Sequence, residues 1–187
     1  MPGYVIIDPE GKPRTLWANG RGTTRELARD PRGAWRLSVA DLRDAAPFSA
    51  LPGTDRLFIV LTGTVRLTVN GRETSLSAGE TSTFLGEDSV AAEASGPAQA
   101  VNAMVLRDEA RIDVRREKAV REIAPPITQD EVVVLLDANR TVDDVPLSAG
   151  TALVPDGRPS AGAAVPVSVV EPSSVCRVRF HRLRRDC

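Results

Sequence analysis

Short apolar runs of four to nine residues, each cut by glycine, proline or a polar turn, set the limits on what this chain can fold into. Fourteen Gly and fourteen Pro are spread along it and leave few windows long enough for a packed helix. The runs are rich in Val, Ile, Leu and Thr, and many alternate. Val65, Leu67 and Val69 alternate with Arg66, Thr68 and Asn70; Ile112 and Val114 alternate with Arg111, Asp113 and Arg115. A period of two gives a strand one buried and one wetted face. Residues 57–61 and 132–136 are apolar at both parities, as in strands covered on both sides. The pattern predicts an all-β sandwich or barrel. Two segments carry helical signals. Thr23-Thr24-Arg25-Glu26 fits a capping box, but Pro31 leaves too little room, so a strand over 24–28 is the preferred reading. One short helical turn is expected over 41–46, before Pro47.

An internal repeat narrows the fold. Leu76-Ser77-Ala78-Gly79 recurs as Leu147-Ser148-Ala149-Gly150, each copy preceded by an apolar run and followed by a short strand. Val101, Ala103 and Val105 before Arg107 parallel Cys176, Val178 and Phe180 before Arg182. The period is near 71 to 75 residues, which divides the chain into units of 1–108 and 109–187.

Charge and histidine content exclude several functions. The 24 Lys+Arg nearly cancel the 25 Asp+Glu, so no global positive field favours nucleic acid or an anionic membrane as partner. No apolar run reaches the ~18 residues of a membrane helix. The two cysteines, Cys176 and Cys187, form no CxxC pair and read as free thiols of a reducing, cytoplasmic setting. The single histidine, His181, excludes centres built from several imidazoles within one chain. No metal or other cofactor is therefore expected. On the last strand Cys176, Val178 and Phe180 share one parity, and Arg177, Arg179 and His181 share the other, which reads as a solvated face. Asp55, Glu80, Glu87 and Asp88 fall at turns, where solvation is the simpler reading than cation binding.

Phe58-Ile59-Val60-Leu61-Thr62-Gly63, then 65–69, then Leu76-Ser77-Ala78-Gly79-Glu80 resembles the core of a cupin, a double-stranded β-barrel of jelly-roll type. Two copies suggest a bicupin. Four further blocks, at 17–26, 35–40, 47–56 and 102–104, are similar to the signature blocks of the HutD/Ves family of bicupins. These matches cover about residues 14–107; the second half is similar only in architecture. The resemblance implies a bacterial protein linked to histidine utilisation, with a regulatory or ligand-binding role rather than a proven enzymatic one. It also implies a small carboxylate ligand from that pathway, such as formylglutamate or urocanate.

The residues themselves supply a matching set. Arg36, Ser38 and Ala40 share one parity, opposite Trp35, Leu37 and Val39, and this polar stripe of modest bulk can line a cavity. Arg25, Arg36 and Arg56 are candidate donors to a carboxylate, which a guanidinium fork pairs bidentately. Asn19, Thr24, Ser38 and Asn102 are candidates for polar contacts, Glu26 for orienting an arginine, Trp17 or Trp35 for a flat wall, and Met104 shares the parity of Asn102. Structural pairing of an arginine with Glu26 or Asp55, and core packing of the tryptophans, are the alternative readings. Two other functions fit the same residues: a metal-free isomerase or hydrolase with Glu26 as base, or a barrel acting through protein contacts, including a homodimer.

Overall fold

The computed structural model describes residues 4–119, 122–123, 130–137, 140–142, 145–156, 165–166, 168–169 and 173–183. Its strands run β1 (Tyr4–Ile7), β2 (Thr15–Leu16), β3 (Gly22–Arg29), β4 (Trp35–Leu42), β5 (Ala46–Pro47), β6 (Thr54–Thr62), β7 (Thr64–Val69), β8 (Arg72–Ser77), β9 (Thr81–Leu85), β10 (Val90–Ala94) and β11 (Ala98–Leu106). They continue as β12 (Ala110–Ala119), β13 (Glu122–Ile123), β14 (Glu131–Leu135), β15 (Arg140–Val142), β16 (Val145–Leu147), β17 (Ala152–Pro155), β18 (Val165–Pro166), β19 (Ser168–Val169) and β20 (Ser173–Arg182). Among the described residues the only helical turn is the short 3-10 segment Pro9–Gly11. The fold is all-β, as the short alternating runs require.

Residues 12–112 form the body of one compact unit, and 113–181 with the N-terminal strand form the body of the other. The first unit has a six-stranded sheet, β2-β3-β4-β11-β6-β9, and a four-stranded sheet, β5-β10-β7-β8. Their facing side chains meet in one cluster that includes Phe58, Val60, Leu42 and Ala100 from the larger sheet and Val65, Leu67, Leu76, Val90 and Ala92 from the smaller. In the second unit the sheet β1-β17-β14-β20-β12 repeats the order of β9-β6-β11-β4, with β1 added along β17. The order β16-β15-β19 likewise repeats β8-β7-β10.

The repeat is reproduced bond for bond at its turn. Gly79 donates its N–H to Val60 at 2.7 Å, and Val60 donates to Glu80 at 3.0 Å. Gly150 donates to Leu135 at 2.8 Å, and Leu135 donates to Thr151 at 2.9 Å. Both glycines stand at positive φ, 83° and 86°, where a Cβ would strain the backbone, and this is why Ala-Gly recurs.

Three expectations meet the structure differently. The preferred strand over 24–28 lies within β3. The helical turn expected over 41–46 is absent: Asp41 and Leu42 continue β4, and Ala46–Pro47 pair with Ala91–Ala92 as an edge strand. Burial decides this, because Leu42 and Ala46 are both about 1% exposed and extended backbone turns each into the core. The solvated face expected on the last strand holds for His181 but not for Arg177, which is only 7% exposed and pairs with Glu117. Arg184, Arg185 and Cys187 lie outside the described residues.

Candidate functional site

Strand register converts the sequence stripes into rows across the six-stranded sheet. Leu42 stands opposite Ala98. Thr24, Ala40, Ala100 and Val60 form the next row, then Glu26, Ser38, Asn102 and Phe58, then Arg36, Met104, Arg56 and Phe84. The face therefore grades from small and apolar to polar along the strands. The four-stranded sheet packs on the apolar end. At the polar end Arg36, Ser38, Arg56, Phe58, Asn102 and Met104 form the floor of an open cavity of about 430 Å³, a size that suits a small metabolite.

The loops supply the walls. Trp17 donates from Nε1 to Thr24 Oγ1 at 2.6 Å, which fixes the indole plane at the cavity edge. Its ring meets Phe48 edge-on, with centroids 6.3 Å apart, and Phe48 tilts onto Phe58 and Phe84 at 5.8 and 5.9 Å. Gly22 makes room for this arrangement, since a Cβ there would lie 3.0 Å from the Trp17 ring and 2.8 Å from the Asp41 carbonyl.

Eight of the expected residues come together here: Trp17, Asn19, Thr24, Arg36, Ser38, Arg56, Asn102 and Met104 all line the cavity. Arg25, Glu26 and Trp35 do not. Arg25 has the opposite parity from Thr24, is 1% exposed and pairs with Asp41 at 3.2 Å. Burial alone would raise the Asp41 pKa, but hydrogen bonds from Gln99 and Thr23 and the Arg25 charge lower it. Glu26 is gripped by both nitrogens of a fork, Arg29 Nε and Nη2, at 2.6 Å each, which lowers its pKa. Trp35 is buried on the other face, beside a smaller groove. Pro47, Phe48, Ser49, Leu51 and Phe58 also line the cavity, and the polar stripes of the sequence do not select them. Phe48 follows a proline in a loop, outside any strand periodicity, so its presence within a signature block was the sole signal.

The electrostatics centre on Arg56. It is 6% exposed, and its guanidinium carbon lies 4.7 Å from the Phe48 centroid and 5.3 Å from that of Phe84. Its Nη1 donates to the Ser49 carbonyl at 3.4 Å, and its Nε has no acceptor among the described residues. Burial, with repulsion from Arg36, pulls its pKa down to about 10. Arg36 itself reaches only the weak acceptor Met104 Sδ, at 3.2 Å. Asn102 Oδ1 is buried and without a partner, and Ser38 donates to the Asn102 carbonyl at 3.3 Å. Two guanidiniums, the buried Arg56 and the exposed Arg36, thus share an open cavity whose lining contains no Asp or Glu.

The HutD family profile matches residues 10–166, most of the chain. The chain belongs to the HutD family. An uncharacterized 21.2 kDa protein in the hutC 3' region of Pseudomonas putida is 37% identical over 38% of this chain and 41% of that protein. Protein Ves of Cronobacter sakazakii is 34% identical over 59% of this chain and 65% of Ves, so the matches span less than two thirds of either relative. Among solved structures, a conserved protein of unknown function from Pseudomonas aeruginosa PAO1 superposes with a TM-score of 0.77 at 26% identity, covering 97% of this chain and all of that one. HutD from Pseudomonas fluorescens SBW25 superposes at 0.74, with 22% identity over 97% of this chain and all of that one. A cupin 2 barrel protein from Leptotrichia buccalis gives 0.57 at 13% identity over 94% and 95% of the two chains, which places the HutD fold among cupin-like barrels.

Many cupin barrels hold a metal, but these donors do not fit one. The cavity offers two arginines and neutral oxygens, with no imidazole, thiolate or carboxylate. Among the described residues no three His, Cys, Asp or Glu side chains group as metal ligands. The four carboxylates expected at turns are held by protein donors instead, and Asp55 stands in β6 rather than at a turn: Asp55 and Glu87 are held by Arg107, Glu80 by the Ser77 N–H, and Asp88 by Asn70.

Proposed function

We propose that this HutD-family chain binds a small carboxylate metabolite in the cavity of its first unit, without a metal, in a regulatory or accessory role in histidine utilisation. The observation that carries this reading is the Arg36–Arg56 pair: two cations on one cavity floor, one of them buried, with no carboxylate in the lining. A buried guanidinium is costly until a counter-charge arrives, and a ligand carboxylate supplies it through charge-assisted hydrogen bonds. The aromatic wall of Trp17, Phe48 and Phe58 suits the apolar remainder of such a ligand, and the buried Asn102 Oδ1 is placed to accept from an N–H or O–H on it. Formylglutamate and urocanate both have this mixed character. The free, buried thiol of Cys176 agrees with a reducing, cytoplasmic setting.

The enzymatic alternative finds no support in the geometry. Its base, Glu26, is held by Arg29 as a low-pKa carboxylate and does not line the cavity. The test is a thermal-shift panel of urocanate, imidazolonepropionate, formiminoglutamate and formylglutamate. At a hundredfold excess over Kd the bound state gains about 2.7 kcal/mol, a clear rise in Tm. No shift from any of the four at millimolar concentration rules the reading out.

A further inference from the structure

Both units carry two guanidiniums on the matching sheet, on β4 and β6 in the first and both on β20 in the second, but they treat the charges in opposite ways. The turn hydrogen bonds make Val60 equivalent to Leu135, 75 positions on, and the same offset holds across the neighbouring strand pairs. Phe58 opposite Asn102 becomes Val133 opposite Arg177, and Arg56 opposite Met104 becomes Glu131 opposite Arg179. Val133 and Leu135 belong to the second unit's core cluster as Phe58 and Val60 belong to the first's, so Glu131 occupies the inward parity that Arg56 has in the first unit. Its side chain is fully buried. One carboxylate oxygen accepts from Arg179 Nη2 at 3.0 Å, and the other lies 3.7 Å from Arg177 Nη1. Arg177 Nε donates to Glu117 at 2.9 Å.

We propose that the second unit contains an anion site on the matching sheet, built from arginines at the positions of Asn102 and Met104, occupied by the chain's own Glu131 carboxylate and thereby closed to external carboxylates. A carboxylate survives full burial only where cations replace its water, and Arg177 and Arg179 play toward Glu131 the part that Arg36 and Arg56 are free to play toward a ligand. Both arginine pairs share one chemistry; their places in the sheet and the source of the anion differ.

The experiment uses the full chain with Glu131→Ala, which removes the carboxylate and leaves a space of formate or acetate size between the two arginines. Melting temperatures are compared with wild type in sodium chloride, formate and acetate at constant ionic strength. Any effect of these ions at the first cavity is common to both proteins, so the gap between them reports the second unit alone, whatever the first one binds. In chloride the variant should melt roughly 10 °C below wild type, as expected for breaking a buried ion pair in a chain of this size. Formate or acetate near 100 mM should close at least half of that gap, while Glu131→Gln, whose amide fills the space, should show no such recovery. If Glu131→Ala does not fold in chloride, refolding into formate replaces melting, and recovered folded protein supports the proposal. A gap unchanged by formate and acetate, equal recovery of Glu131→Gln, or no refolding in formate overturns it.

Discussion

The Arg56 guanidinium lies buried 4.7 Å from the centre of the Phe48 ring, and the like charge of Arg36 acts on it. An arginine in this setting weakens the empty protein and strengthens an anion complex. Its pKa, pulled down from the ordinary arginine range to about 10, means that the unfolded chain holds the proton more tightly than the fold does. The cost is on the order of 2–3 kcal/mol near neutral pH, partly offset by about 1 kcal/mol from the ring contacts.

Arg56→Met should therefore raise the Tm of the ligand-free protein by a few degrees, since about 1–2 kcal/mol corresponds to that shift in a chain of this size. The same substitution should abolish carboxylate binding. Calorimetric melting with and without ligand checks both; a lower Tm for the ligand-free variant contradicts the burial argument.

Glu26→Gln should not weaken ligand binding. The carboxylate is held by Arg29 away from the cavity, and its negative charge acts on Arg36 only through space. Removing that charge leaves Arg36 a slightly better anion donor, so Kd should stay the same or fall. An isothermal titration showing a tenfold rise in Kd would restore Glu26 to the site.

Gly22→Ala should damage the site through packing rather than charge. The new Cβ would stand 2.8 Å from the Asp41 carbonyl and 3.0 Å from the Trp17 ring, so the indole must move off Thr24. A loss of about 1–3 kcal/mol in stability is expected for such overpacking, with weaker binding. Trp17 and Trp35 are the two tryptophans, and Trp35 is buried, so a change in tryptophan emission would report the Trp17 displacement.

Acid should loosen the edge of the first unit. Arg107 donates to Asp55 at 2.7 Å and to Glu87 at 2.8 and 3.0 Å, tying the end of β11 to the start of β6 and to the turn after β9. These hydrogen bonds pull the Glu87 pKa down to about 2, and hold that of Arg107 above its ordinary value. The folded-state pKa lies below the unfolded 4.5, so this contribution is present above about pH 4.5 and fades toward pH 2. Comparing Tm against pH for wild type and Arg107→Gln should show a shallower acid slope in the variant. Identical slopes would remove Arg107 from that role.

Much of the site was legible as parity. Alternation placed Arg36, Ser38 and Ala40 on one face, and Asn102 and Met104 on one face, and both assignments hold. Parity could not say that these two stripes lie side by side, because Ser38 and Asn102 are 64 residues apart and only antiparallel register joins them. Arg25 failed for a related reason. Its partner Asp41 is 16 residues away, on a strand that the local signals suggested would end in a helical turn.

The sequence by itself determined the architecture. Short alternating runs can bury an apolar face only by pairing as strands, and two Ala-Gly turns that require positive φ repeat the same connection. Which arginines face an open cavity, and which are neutralised, was decided by tertiary structure alone. Arg25, Arg36, Arg56 and Arg177 carry the same charge on similar strands, and their fates diverge only because register brings Asp41 to Arg25 and Glu117 and Glu131 to Arg177. Apart from Arg36 and Arg56 themselves the cavity lining is neutral, and the buried Arg56 charge left in that state calls for an anion from outside.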